Sequence, residues 1–129
     1  MTGYVTNIET KTLENRNFRE VLYTSRGLQL VVMSIAPGGE IGLETHDDVD
    51  QFIRVEAGQG KAILGSQERP LADGSAVVIP AGTAHNILNV SNSEPLKLYS
   101  IYTPPEHPAG TVHKDKAEAD EYERAHHHK

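Results

Sequence analysis

Over the first hundred residues, short apolar or alternating runs are separated by Gly, Pro and acidic residues. That rhythm predicts short strands and turns, the pattern of an all-β sandwich or barrel. Phe18 to Thr24 is the first candidate strand. Leu28 to Ile35 is a stronger one, ended by Ala36-Pro37-Gly38-Gly39, where Gly and Pro punctuate the backbone. Ile41 to His46 follows, and the acidic Asp47-Asp48-Val49-Asp50 reads as a hairpin turn into Gln51 to Glu56, which ends at Gly58 and Gly60. Lys61 to Leu64 runs into a Gly65-Ser66 turn. The β-branched Ala76 to Ile79 stops at Pro80-Ala81-Gly82, and His85 to Val90 and Leu96 to Tyr102 complete the set. After Thr103 the pattern changes. Pro104 to Gly110 is constrained to extended or turn backbone, and Asp115 to Ala125 reads as a short surface helix with Asp115 as N-cap and Glu118 three residues on. The expected organisation is an N-terminal segment over 1–16, a barrel over 17–103 and a C-terminal loop and tail over 104–129. The run His126-His127-His128 is weak evidence of function.

A chain of 129 residues suits one domain. Its core will be small, so oligomerisation would help cover exposed barrel surface. Twelve Lys and Arg against eighteen Asp and Glu leave a net charge of −6, with no basic stripe, so nucleic acid is not an expected partner. The absence of cysteine excludes disulfides, thiolate metal sites and thiol nucleophiles. The longest strongly apolar stretches are about eight residues, too short for a membrane span. Met1 to Asn7 has neither a basic n-region nor an apolar h-region. A cytoplasmic protein with no membrane partner is expected.

Two segments carry the candidate chemistry. One runs Gly38, Glu44, His46, Gln51, Gly58, and the other Gly74, Pro80, Gly82, His85, Asn89. Glu44 and His46 are two apart on a predicted strand, so both point to one face. A hairpin would bring Gln51 beside them, and His85 opens a strand returning from the Pro-Gly turn. Inward faces of a small barrel converge, so the four groups can meet around one point.

The two segments resemble the paired motifs of the cupins. Gly74, Pro80, Gly82, His85 and Asn89 match the second motif at every specified position. The first matches in spacing and at Gly38, His46 and Gly58, but Glu44 stands where a His is usual and Gln51 where a Glu is usual. The resemblance implies a single cupin barrel (a double-stranded β-helix, or jelly roll) with a short C-terminal helical tail. It also implies a small-molecule substrate, a homodimer, and one divalent metal ion held by Glu44, His46, Gln51 and His85. The two departures cancel in charge, because three neutral ligands and one carboxylate remain, with the carboxylate at another corner. A mixed nitrogen and oxygen set with open positions suits Mn, Fe, Ni, Co or Zn. The bland alternatives are core histidines at 46 and 85, a solvated Glu44, and a Gln51 that only caps the hairpin. Asp50 competes with Gln51 at the shorter spacing, but Ile53 and Val55 continue the inward parity of Gln51.

Ser100 and Tyr102 share parity with Leu98 and are expected to face the cavity. His107 and His113 flank the Pro/Gly-rich segment. A loop His is a candidate acid/base group because its pKa lies near neutrality, so His107 and Tyr102 are the candidate catalytic residues. Two solvent-exposed loop histidines are the favoured bland reading. Arg54 is expected at the surface or a subunit interface rather than on an anionic substrate. Asp47, Asp48 and Asp50 lack the spacing of a calcium loop. Similarity to mannose-6-phosphate-isomerase-like small cupins implies a sugar or hydroxycarbonyl isomerase. An Fe or Mn dioxygenase and a non-catalytic small-molecule-binding module are the alternatives, since one barrel hosts unrelated chemistries.

Overall fold

Antiparallel pairing sorts the strands of this chain into two sheets that face one another, as seen in a computed structural model that describes residues 2–126. One sheet holds β1 (Arg19–Thr24), β2 (Gln29–Ile35), β3 (Asp50–Ala57), β6 (Ala76–Ile79), β8 (Leu96–Thr103) and β9 (Val112–His113), in the order β6-β3-β8-β2-β1-β9. The other holds β4 (Gly60–Leu64), β5 (Gln67–Leu71) and β7 (His85–Asn89), in the order β5-β4-β7. All pairings are antiparallel, so inward residues recur with period two. Val31, Met33 and Ile35 of β2, Ile53 and Val55 of β3, and Leu96 and Leu98 of β8 pack against Ala62 of β4 and Ile87 of β7. This is the expected all-β cupin barrel. α1 (Ile8–Glu14) and α2 (Lys116–His126) flank it. No helix among the described residues is long and apolar enough to cross a membrane.

Cross-strand register layers the barrel interior. Gln51, Tyr102, Gln29 and Thr24 are successive partners across β3, β8, β2 and β1. The next inward row is Ile53, Ser100, Val31 and Val21, and the one after is Val55, Leu98, Met33 and Arg19. Polar side chains therefore occupy one end of an otherwise apolar interior, and that end carries the site.

The fold departs from the sequence reading at several places. Residues 41–46 do not form a strand. Only isolated bridges join Glu40 to Leu88 and Glu44 to His85. Gly42 has φ +113 and gives its N–H to the Asn86 side chain at 2.8 Å, which interrupts a regular ladder. Nor does a hairpin connect this segment to β3. The segment bridges β7 while β3 pairs with β6 and β8, so the acidic turn crosses between sheets. β5 escaped notice because Gln67–Leu71 is polar and holds Pro70, which an edge strand tolerates. α1 is capped by Asn7, whose side chain accepts from Thr10 N at 2.9 Å. α2 follows its predicted signal: Asp115 Oδ1 accepts from Glu118 N at 2.8 Å, and Glu118 Oε1 accepts from Lys114 N at 2.7 Å. Of the terminal histidines, His127 and His128 lie outside the described residues.

Candidate metal centre

Each proposed ligand reaches the cavity by a separate piece of backbone. Glu44 and His85 exchange reciprocal backbone bonds, Glu44 N to His85 O at 2.9 Å and His85 N to Glu44 O at 2.8 Å. His46 is held by the Pro-Gly turn, whose Gly82 N donates to His46 O at 2.8 Å. The positive φ of Gly82, +85, is needed in that turn. Gln51 enters from β3. Asp50, its competitor, instead accepts from Ala81 N at 2.8 Å on an exposed side chain.

Donor atoms of Glu44, His46 and His85 lie within 4.8 Å of one another and can hold a metal ion. Glu44 Oε1 is 3.4 Å from His46 Nε2 and 3.9 Å from His85 Nε2. Two ligands on one ion at about 2.1 Å stand no more than about 4.2 Å apart, so both separations fit a shared ion. Each histidine has its far nitrogen engaged. His85 Nδ1 lies 2.8 Å from Thr83 O, and His46 Nδ1 lies 3.4 Å from Glu106 Oε2. These partners leave Nε2 of both rings directed elsewhere, and both Nε2 atoms are buried with no hydrogen-bond partner. An oxygen that holds the far ring nitrogen, and so aims the other nitrogen at the ion, is the usual arrangement of a metal-binding histidine. Gln51 is 3% exposed, and its Nε2 donates to Ser100 Oγ at 3.1 Å and Tyr102 Oη at 3.2 Å. Its Oε1 is left buried and unpartnered. Orphaned buried acceptors are rare in folded proteins and call for an explanation. A cation held between Glu44, His46 and His85 would satisfy both Nε2 atoms, so these residues fit a metal ion.

Ionisation follows from the same contacts. Burial works to raise the Glu44 carboxyl, but the close approach and charge of His46, with Arg19 and His85, outweigh it and hold the group below the usual carboxylate range. The nearby Glu44 carboxylate raises His46. Burial raises Glu106 despite the opposing charge of His46.

His107 is not a solvent-exposed loop residue. Together with Glu44, His46 and Glu106 it lines a cavity of about 570 Å³. Its Nε2 is buried and its ring meets Tyr102 edge-on at 5.2 Å. Burial, then the charges of Arg19, His46 and His113, press its pKa to about 3, so the premise of a near-neutral pKa fails and the ring is neutral. Tyr102 is buried too, and burial keeps its hydroxyl protonated far above neutral pH. His113 is 6% exposed and ties β9 to β1 beside Arg19 Nη1 at 3.3 Å. Arg54 is partly exposed and faces Glu56 at 3.4 Å, away from the site. Asn89 bonds the loop backbone as expected, donating to Ile35 O and Glu94 O, both at 2.9 Å.

Three residues of the site region went unread in the sequence. Gln29 is fully buried. Its Nε2 donates to His107 O at 2.7 Å and Thr24 Oγ1 at 2.9 Å, and its Oε1 accepts from Glu106 N at 3.1 Å and His107 N at 2.9 Å. One amide thus straps the Pro-rich segment to the barrel. Glu106 is the carboxylate beside His46, and Arg19 is a buried cation on β1. Only inward parity with Val21 could have flagged Arg19.

With this geometry in hand, three similarities place the chain. It is 48% identical over 122 residues to the uncharacterized Bacillus subtilis protein YrkC, covering 90% of this chain and 65% of that protein. It is 46% identical to the uncharacterized protein L612 of Acanthamoeba polyphaga mimivirus, covering 84% of this chain and 70% of the relative. The crystal structure of BH2720 from Bacillus halodurans superposes with a TM-score of 0.89 at 49% identity, over 92% of this chain and 93% of that one. The chain therefore spans about two-thirds of the length of the curated relatives it matches. Residues 31–102, which include all four proposed ligands, match the cupin domain family model, and the protein belongs to the cupins.

Proposed function

We propose that this cupin is a metal-dependent isomerase acting on a sugar or another hydroxycarbonyl compound, with one divalent ion held by Glu44, His46, Gln51 and His85. The observation that carries the reading is the set of three buried lone pairs without partners, on His46 Nε2, His85 Nε2 and Gln51 Oε1. When bound, the ion supplies Lewis acidity toward neighbouring hydroxyl and carbonyl oxygens of a substrate. The chain's own groups supply the rest. Environment pushes the two carboxyls in opposite directions, Glu44 down and Glu106 up. Such splitting separates an ionised ligand from a proton carrier, so Glu106 moves the proton. Neutral His107 hydrogen-bonds a substrate hydroxyl through Nε2, because a base pressed to about 3 is too weak to hold a proton at neutral pH. Tyr102, whose oxygen already accepts from Gln51, offers its O–H.

The test uses protein purified without an affinity tag. Elemental analysis is expected to find about one divalent ion per chain, lost in His85→Ala and reduced in Gln51→Ala. Metal-loaded protein is then incubated with hexuloses, uronates and sugar phosphates and the products resolved by NMR. Full metal retention in both variants overturns the site, and an unchanged substrate panel overturns the isomerase. Fe(II)-dependent oxygen uptake would replace it with the dioxygenase.

A further inference from the structure

One face of α2 turns charge, not apolar surface, toward the cavity of the candidate metal centre. A helix that packs on a barrel normally presents an apolar stripe. α2 has such an anchor, since Ala119 is 3% exposed within the core and Tyr122 meets the His113 ring at 5.3 Å. Lys116, Asp120 and Glu123 follow one another at helical spacings of four and three residues, so they share a face. All three line the cavity of about 570 Å³ that Glu44, His46 and His107 also line. Lys116 Nζ lies 3.9 Å from the point a Cβ would occupy at Gly42, which sets α2 over the segment carrying Glu44 and His46. The α2 side chains stand at the open side, with Lys116 and Asp120 37% and 47% exposed against 12% for His46.

The charges on that face do not balance. Lys116 is committed within the helix, its Nζ 2.8 Å from Asp120 Oδ1 and 3.0 Å from Oδ2. It is the one lysine or arginine among the described residues that line the cavity. Its pairing with Asp120 leaves Glu123 as net negative charge, in a cavity that Glu106 also lines. A phosphate or carboxylate entering here meets carboxylates and no free ammonium or guanidinium, whereas a hydroxyl or an ammonium finds acceptors.

We propose that the charged face of α2 is a specificity-determining wall that selects a neutral or cationic substrate, a free or amino sugar, and turns away sugar phosphates and uronates. The inference deepens the isomerase reading and rests on it for the part of the substrate that faces the metal ion, but the charge of the wall is independent of the metal.

Calorimetric titration of metal-loaded protein with D-glucose, 6-amino-6-deoxy-D-glucose and D-glucose 6-phosphate, which differ only in the substituent on the sixth carbon, tests it. At low ionic strength the phosphate is expected to bind about fivefold or more weakly than glucose and the amine at least as tightly as glucose, with the gap shrinking in salt. Glu123→Gln should narrow the phosphate gap about twofold or more, and Asp120→Asn, which also frees Lys116, should narrow it further. Phosphate binding as tight as glucose, an amine that binds more weakly than glucose, or a gap that Glu123→Gln leaves unmoved overturns the wall. Glu123→Gln keeps the Lys116–Asp120 pair, so it decides the matter if Asp120→Asn loosens α2. A metal-free arm keeps this inference apart from the isomerase reading. Paramagnetic relaxation of the Gly42, Leu43 and Thr45 amides by cationic 4-amino-TEMPO should exceed that by anionic 4-carboxy-TEMPO about twofold or more, and the excess should fall in Glu123→Gln. That result upholds the wall even where none of the three sugars binds and the isomerase fails, and equal relaxation by the two probes overturns the wall.

Discussion

Replacing Gln29 with leucine should free the segment over the cavity without unfolding the barrel. The side chain is 0% exposed and makes four hydrogen bonds, three of them to the backbone of Glu106 and His107. Each such bond contributes about 0.5–1.5 kcal/mol net, so the three tie down residues 106 and 107 by about 3 kcal/mol. Leucine is of similar size, which keeps the barrel wall filled. It leaves two N–H groups and one C=O group facing an apolar side chain. The segment can meet those needs only by opening to water, so the cost is capped at the free energy of that opening. The expected result is a loss of hydrogen-exchange protection of about a hundredfold at the Glu106 and His107 amides. Protection at Ile53 in β3 should change far less. Since Glu106 also faces His46 Nδ1 at 3.4 Å, metal affinity should fall in the same variant. Protection at 106 and 107 that falls less than about threefold, or that falls in step with Ile53, would refute the strap, because even the low end for three such bonds, about 1.5 kcal/mol, corresponds to roughly a tenfold loss.

Glu106→Ala removes the carboxylate beside His46 and is expected to weaken metal binding by about 10- to 100-fold in a competition titration, with the melting temperature little changed. His107 controls the acid limb of stability in the metal-free protein. Its folded pKa of about 3 lies below the ordinary 6.5, so its contribution is complete above 6.5 and is lost as pH falls toward 3. His46 acts oppositely, since its pKa is raised and its contribution is present below 6.5 and lost as pH rises through the raised value. The His107 shift is the larger, so melting temperature should fall from pH 6.5 to 4, and His107→Asn should flatten that fall; parallel profiles would contradict the burial of the ring. Gly58→Ala puts a Cβ 2.5 Å from Pro95 O at a φ of +102 and should cost at least about 2 kcal/mol in urea unfolding, whereas Gly27→Ala, which meets nothing within 4 Å, should be near neutral.

Which parts of the site the sequence discloses follows from how each side chain is buried. Strand β8, and β3 as far as Val55, keep strict alternation, so Ile53 and Val55 on one and Leu98 on the other set a phase that carries outward to Gln51, Ser100 and Tyr102. Those residues are legible because their neighbours two positions away face the same core. The segment holding Glu44 and His46 is less legible. Glu44 and His46 do come together with His85, but the path of their segment is decided by backbone bonds to His85 and Gly82, about forty residues on, and Gly42 breaks the period that would have shown it. Gln29 and Glu106 leave no local trace, and Arg19 only its inward parity with Val21. Gln29 is buried by partners 77 and 78 residues away, and Arg19 faces a histidine 94 residues away. Phe18 and Arg19 are adjacent and both buried, so alternation counted from Phe18 turns Arg19 outward. A polar side chain whose burial depends on a remote partner has no periodic signature, and Gln29, which holds the segment carrying Glu106 and His107, is such a side chain. The proposed ligand positions can therefore be marked from spacing, while the wall of the cavity depends on contacts that exist only once β2 and the segment after β8 have met.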